Sequence, residues 1–243
     1  MKKLHFFFLV LFSISLHAQE NVEILYQNED YKFTAKSEIW EFIDANMDVS
    51  DQIKIAEYKL TINRNGKNNL AQTFNKFTKM GIDAGANSYT IEDVEAEESQ
   101  YIVTISLYNL DSEKMQENFS HYEENIIVLF GDLNTNNLDK PKTCKVNGKK
   151  VEVLPYHYEK YEVDEGEKFK VSIGGILGTS IQIRGEAHRL ARCFALGGGS
   201  IMPAGAVIGT GGGGVAISFN TGNIYPMDTC YGLFVMTILD NDQ

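Results

Sequence analysis

The sequence predicts an α+β protein: a small two-layer α/β module followed by a mostly antiparallel β-sandwich. Three observations lead there. Apolar residues alternate at period two through most candidate segments, residues 68–85 carry a helical period instead, and turn signals recur at short spacing beyond residue 125. Composition divides the chain in the same way. Residues 19–124 are charged and rich in Asn, whereas 125–243 hold all three cysteines and most of the 21 glycines. The boundary is placed near 120–124, after a polar segment that starts at Asp111.

Lys2 and Lys3 precede an apolar run over residues 6–16, and small Ala18 follows before Gln19-Glu20. Charge, apolar core and small residue in that order form a cleavable secretory signal, expected over 1–18. The run is too short to cross a bilayer core of about 30 Å as a helix. An exported location, periplasmic or extracellular, is therefore expected, and no cysteine stands near the cut to carry a lipid. The Phe-rich leader ending in Ala-Gln resembles those of Bacteroidetes envelope proteins. Without its two lysines the chain keeps 20 basic residues against 33 acidic ones, a net charge of −13. Such a balance disfavours nucleic acid or an anionic membrane surface and suits neutral or cationic ligands.

In the first module, Ile39, Phe42 and Ile43 stand at i, i+3, i+4 beside Trp40, a short amphipathic patch of helical spacing. Residues 53–63 form a strand with Ala56, Tyr58, Leu60 and Ile62 on one face. Ile53 and Ile55 fall on the other register, which predicts a bulge near 56–57. Asn65-Gly66 marks a turn. Leu70, Phe74 and Phe77 make one helical stripe, and Gly85 sits where a helix C-terminus wants glycine. Residues 88–93 and 101–108 are strands, the second with Tyr101, Val103, Ile105 and Leu107 on one face. Strand, helix, strand, strand is a two-layer order.

The run Gly85-Ala86-Asn87, between that helix and the next strand, resembles the "GAN" turn of YbjQ/RcsF-like envelope domains. The resemblance covers about residues 50–110 and implies an envelope-facing module without catalytic residues. The chain lacks the cysteines that RcsF-type proteins carry in this module.

The second module reads as strands. Residues 126–130 are an unbroken apolar run. Asn147-Gly148 is a type I′ hairpin signal between strands at 142–146 and 149–154. A turn at 164–167 leads into 169–173, and further strands are expected at 179–184, 190–196, 215–219 and 233–239. The hairpin over 161–173 is similar to those of Ig- or transthyretin-like envelope sandwiches, with Glu165-Gly166 where Pro-Gly is usual.

The glycine-rich stretch 197–214 lacks the Lys-Ser/Thr of a phosphate-binding loop and the strand–helix frame of a dinucleotide fingerprint. Its Gly205, Gly209 and Gly213 are spaced as in a close-packed helix, but each glycine costs a helix about 1 kcal/mol relative to Ala. A loop between strands is the expectation, with Ile201, Met202, Val207 and Ile208 offering apolar contacts to a partner or membrane surface. Gly131-Asp132-Leu133-Asn134 resembles the GD-x-N turn of the endonuclease/exonuclease/phosphatase family. That resemblance implies Asp132 and Asn134 as metal and phosphate ligands, but the Ser-Asp-His of that family has no counterpart here. Tyr156, His157, Tyr158 and Tyr161 cluster as a possible stacking surface for sugars, or as a solvated strand face. Cys144, Cys193 and Cys230 allow one internal disulfide, with Cys193–Cys230 the candidate pair; the alternative is three buried thiols. No two cysteines have zinc-ligand spacing.

No complete catalytic or metal set and no cofactor motif emerges. The expected role is a non-enzymatic binding or sensing protein of the bacterial envelope, with a protein, lipid or glycan as partner. A secreted metal-dependent phosphodiesterase and a glycan-binding sandwich are the alternatives.

Overall fold

The structure, a computed structural model, describes residues 21–33, 36–174, 178–197 and 224–242. The expected signal at 1–18, the strand at 215–219 and the glycine-rich stretch beyond Gly197, with Ile201, Met202, Val207 and Ile208, lie outside them. The elements in order are β1 (Val22–Gln27), β2 (Glu41–Phe42), β3 (Lys54–Asn63), α1 (Leu70–Asp83), β4 (Ser88–Ala96), β5 (Gln100–Tyr108) and α2 (Ser112–His121). They continue with β6 (Ile126–Phe130), β7 (Lys142–Val146), β8 (Lys149–Val153), β9 (Tyr158–Glu162), β10 (Lys168–Ile173), β11 (Thr179–Arg184), β12 (Arg192–Leu196), β13 (Ile224–Met227) and α3 (Thr229–Asp240). The chain is mixed α+β, with strand predominating over helix.

One sheet has the order β1-β3-β5-β4-β2. Strands β3 and β4 both run antiparallel to β5, which lies between them, so β3-α1-β4 is a split β-α-β unit. Helix α1 starts where the pattern predicts. Asn69 caps it, its side chain accepting from the Gln72 amide at 3.1 Å. Its Leu70, Phe74 and Phe77 are buried against the sheet. The β3 bulge is also present: the register against β5 shifts between Lys54 and Ala56, so Ile55 and Ala56 are both buried.

The Gly85-Ala86-Asn87 turn has a visible physical basis. Gly85 is left-handed at φ 90°, and a Cβ there would fall 2.5 Å from the Phe33 ring. Ala86 is fully buried. The Asn87 amide donates to Leu110 O at 2.7 Å and accepts from Leu110 N at 2.8 Å, tying the start of β4 to the end of β5.

Two four-stranded sheets follow, β13-β12-β6-β9 and β11-β10-β7-β8. The Asn147-Gly148 hairpin between β7 and β8 has φ 48° and 85°, as a type I′ turn requires. Strands β6 and β12 pair in parallel and are apolar on both faces. Ile127 and Leu129 of β6, with Phe194 and Leu196 of β12, share a core with Val146, Phe169 and Val171 of the other four-stranded sheet. Their alternate neighbours Val128, Phe130, Cys193 and Ala195 belong to the large core around α1, α3 and the five-stranded sheet. A strand buried on both faces reads as a continuous apolar run, which is why 126–130 shows no alternation.

Three expectations are corrected. Residues 233–239 are not a strand but part of α3. Residues 39–43 are not a helical patch: Glu41–Phe42 is an edge strand paired in parallel with β4, and Ile39 is exposed. The stretch 161–173 is not a hairpin: β9 and β10 belong to different four-stranded sheets, and the turn at 164–167 carries the chain from one to the other. The polar segment from Asp111, to which the pattern assigned no element, is α2, capped by the Asp111 side chain, which accepts from Lys114 N at 2.9 Å. Helix α3, from the far end of the chain, packs its Tyr231 and Phe234 rings 5.1 and 5.3 Å from Phe74 of α1. The large core thus crosses the compositional boundary at 120–124.

The end of α3 is held by a clamp. Arg64 donates to Asp242 Oδ1 at 2.8 Å and lies 4.5 Å over the Tyr101 ring, while the Tyr101 hydroxyl donates to Asp242 Oδ2 at 3.0 Å. Both partners are mostly shielded from solvent. Arg64→Ala is expected to lower stability by about 2 kcal/mol, since a charged hydrogen bond and a cation–π contact go together. Chemical denaturation measures it, and an Asp242→Ala double-mutant cycle should recover at least half of that loss as coupling.

Candidate functional site

The first turn beyond β2 is where the two parts of the chain meet. Strand β2 is an edge strand with β4 on one side only, so the Phe42 carbonyl is free on the other. Helix α2 and the residue after it satisfy that group: Asn118 Nδ2 donates to Phe42 O at 2.8 Å, and the Tyr122 hydroxyl donates to the same oxygen. Asn118 Oδ1 also accepts from Asp44 N at 2.9 Å. This fully buried Asn fixes the path of residues 42–44.

Beside that path lies a cavity of about 200 Å³. Buried Phe42, Ile43, Tyr122, Ile126 and Ala191 form its floor, and half-buried Ile91, Leu233 and Met236 form its walls. Asp44, Ala45 and Glu123 lie at its more exposed side. Its lining comes from β2, β4, β6, the approach to β12, and α3, so the cavity exists only when α3 is docked. Pockets of this kind, mostly apolar with a few polar groups, favour the junctions between packed units.

The residue before Phe42 is a buried acid. Glu41 is 6% exposed, and its Oε2 lies 3.2 Å from Cys230 Sγ, which is also 3.1 Å from Trp40 O. Burial raises the Glu41 carboxyl from 4.5 to about 7, nearby Asp228 pushes the same way, and the contact with Cys230 opposes them. Burial, with Glu41 and Asp228 beside it, holds the Cys230 thiol well above its usual range. These shifts run opposite to what a nucleophilic thiol needs, so the pair stores a proton rather than activating sulfur. The Cys230 carbonyl accepts from the Tyr89 hydroxyl at 2.8 Å, which anchors the start of α3 to β4.

The residues singled out from sequence are scattered. Cys144, Cys193 and Cys230 are free and buried, and the Cys193–Cys230 bridge is not formed. The reason is orientation: Cys230 Sγ faces β2, whereas Cys193 Sγ lies against Gly232, within 2.3 Å of where a Cβ there would sit. Tyr156 is a buried left-handed residue at φ 55°, its hydroxyl accepting from Thr135 N at 3.3 Å. Tyr158 packs 5.7 Å from Phe130 and donates to Asp240, while Tyr161 packs 5.1 Å from Phe169 in the other core. Being three apart on one strand, Tyr158 and Tyr161 point to opposite faces, so these tyrosines build no common stacking surface. His157 is exposed, with Nδ1 2.9 Å from Pro155 O.

Asp132 and Asn134 form an ordinary Asx turn. Asp132 Oδ1 accepts from Asn134 N at 3.1 Å, Oδ2 pairs with Lys142 Nζ at 3.1 Å, and Asn134 Oδ1 accepts from Gly66 N at 3.2 Å. Both carboxylate oxygens of Asp132 are engaged, and no group of three metal-ligating side chains occurs among the described residues.

The cavity was not anticipated from sequence as a site, although Phe42 and Ile43 stood in the 39–43 patch. The available signal was in 229–240: Cys230, Tyr231, Phe234, Val235, Ile238 and Leu239 repeat at helical spacing just after a capping Asp228, whose Oδ1 accepts from Tyr231 N at 3.1 Å. Glu41 carried no local signal. Comparison with known proteins adds nothing to this geometry: no family model, no curated protein and no solved structure matches the chain.

Proposed function

We propose that the chain is an exported, non-enzymatic binding protein of the cell envelope, and that it holds a small apolar or lipid-like molecule in the cavity between β2, β6 and α3. The observation that carries this reading is the cavity itself, about 200 Å³ and walled chiefly by Phe42, Ile43, Ile91, Ile126, Leu233 and Met236. A cavity of roughly 150 Å³ with such a lining stays dry and takes benzene, so this one accommodates a single ring or a short acyl chain. The leader-like residues 1–18 and the resemblance of residues 50–110 to envelope modules support the location. The facing residues of the two four-stranded sheets share one core, which supports reading them as a β-sandwich beneath the site.

The test is thermal denaturation of the purified chain with a neutral apolar probe, octanol or indole. A probe held at about 100 times its Kd stabilises the folded state by about 2.7 kcal/mol, which moves the melting midpoint measurably. Met236→Trp, which fills the cavity from a half-exposed position on α3, should abolish the shift while leaving the circular dichroism spectrum unchanged. A shift that survives in Met236→Trp places binding elsewhere and removes the proposal.

A further inference from the structure

The lining of the cavity is not electrically neutral. Among the described residues its only ionisable side chains other than Tyr122 are the carboxylates of Asp44 and Glu123, and no Lys, Arg or His contributes to it. Asp44 is held in a local turn: its Oδ1 accepts from Asn46 N at 2.8 Å and from Asn46 Nδ2 at 2.9 Å, and among the described residues its Oδ2 has no hydrogen-bond partner. Glu123, the other acid of the lining, forms an ion pair with Lys160. The whole chain has a net charge of −11. A ligand whose apolar part fills the cavity leaves its head group toward the more exposed Asp44 and Glu123; Thr90 and Thr237 are the other polar residues of the lining apart from Tyr122.

Resting on the reading of this cavity as a ligand site, we infer that it selects small cationic amphiphiles, an ammonium head on one ring or a short alkyl chain, over their carboxylate counterparts. An ammonium group beside Asp44 gains a partly exposed ion pair, while a carboxylate there meets a like charge. Attraction in one case and repulsion in the other separate the two ligands by roughly tenfold in affinity at low ionic strength. The separation narrows with added salt, because the head group remains near solvent.

The experiment is isothermal titration of the full chain with octylamine, octanol and octanoate at pH 7.5 in low salt. The expected order of affinity is octylamine, then octanol, then octanoate, with about tenfold between first and last. Asp44→Asn keeps the Oδ1 acceptor of the turn and removes only the charge. It should bring octylamine down about tenfold, to the level octanol shows in the same variant, and so close the gap between the two ligands. Octanoate binding as tightly as octylamine, with octanol also bound, overturns the charge selection but leaves the cavity reading intact. Failure of all three, octanol included, overturns the cavity reading and the selection together.

Discussion

Phe234→Ala is expected to lower the stability of the whole chain by about 3–5 kcal/mol, the range for removing a large aromatic side chain from a packed core. Phe234 is fully buried. Its ring lies 5.3 Å from Phe74, 5.4 Å from Phe77 and 6.2 Å from Tyr89, so one substitution strips contacts from α1 and β4 at once. Neither α1 nor β4 is close to α3 in sequence, and the void cannot collapse without moving a helix. Trp40, the sole tryptophan, stacks 5.4 Å from Tyr89 and reports on this cluster. Urea denaturation followed by Trp40 fluorescence and by far-ultraviolet circular dichroism should show both signals moving together to lower denaturant. A Trp40 transition that stays in place would mean that residues 19–124 hold their core without α3, contrary to the packing described above.

Glu41→Gln should do the reverse at alkaline pH. The Glu41 carboxyl is raised from 4.5 to about 7 in the folded chain, chiefly by burial. The folded state therefore keeps its proton where the unfolded state has released it. The stability this confers is complete below about pH 4.5, declines as pH rises, and is lost above about pH 7. The decline amounts to about 3 kcal/mol. Gln keeps an acceptor for Cys230 and carries no charge, so Glu41→Gln should be more stable than the wild-type chain by about that amount at pH 8 and equal to it at pH 4. Exposed His188, raised by its ion pair with Glu124, titrates alike in both proteins and cancels in the difference. Identical pH profiles from pH 5 to 8 would show that Glu41 is solvated rather than buried.

The two substitutions bear on the candidate site from opposite sides. Phe234 and Leu233 are neighbours on α3, one in the core and the other in the wall of the cavity. Anything that loosens α3 opens that wall. Protonation of Glu41 steadies the β2–α3 contact, because the neutral acid needs no counter-charge next to Cys230.

Much of the local structure was legible because it rests on short-range rules. The stripe Leu70, Phe74, Phe77 located α1, and Gly85 located its end. Asn147-Gly148 placed the β7–β8 hairpin, since two successive left-handed residues are tolerated there. The β3 bulge followed from a break in alternation that any one-faced strand must accommodate. The misreadings were of another kind. Residues 229–240 are nearly all apolar, and a helix buried on several sides differs little in composition from a buried strand. Residues 39–43 showed helical spacing, but five residues are too few for a period to mean anything against the pull of an open sheet edge.

By itself the sequence determined the α+β class, the strand, helix, strand, strand order around α1, the β7–β8 hairpin and the acidic balance of the chain, because each depends on neighbours within a few residues or on composition alone. Only the tertiary structure decided the candidate site. Phe42, Tyr122, Ile126, Ala191 and Leu233 are up to 191 positions apart, and the cavity they line forms because α3 returns to the sheet built at the start of the chain. The same return buries Glu41 against Cys230. Burial is a property of the assembled core, and no local pattern around residue 41 carries it.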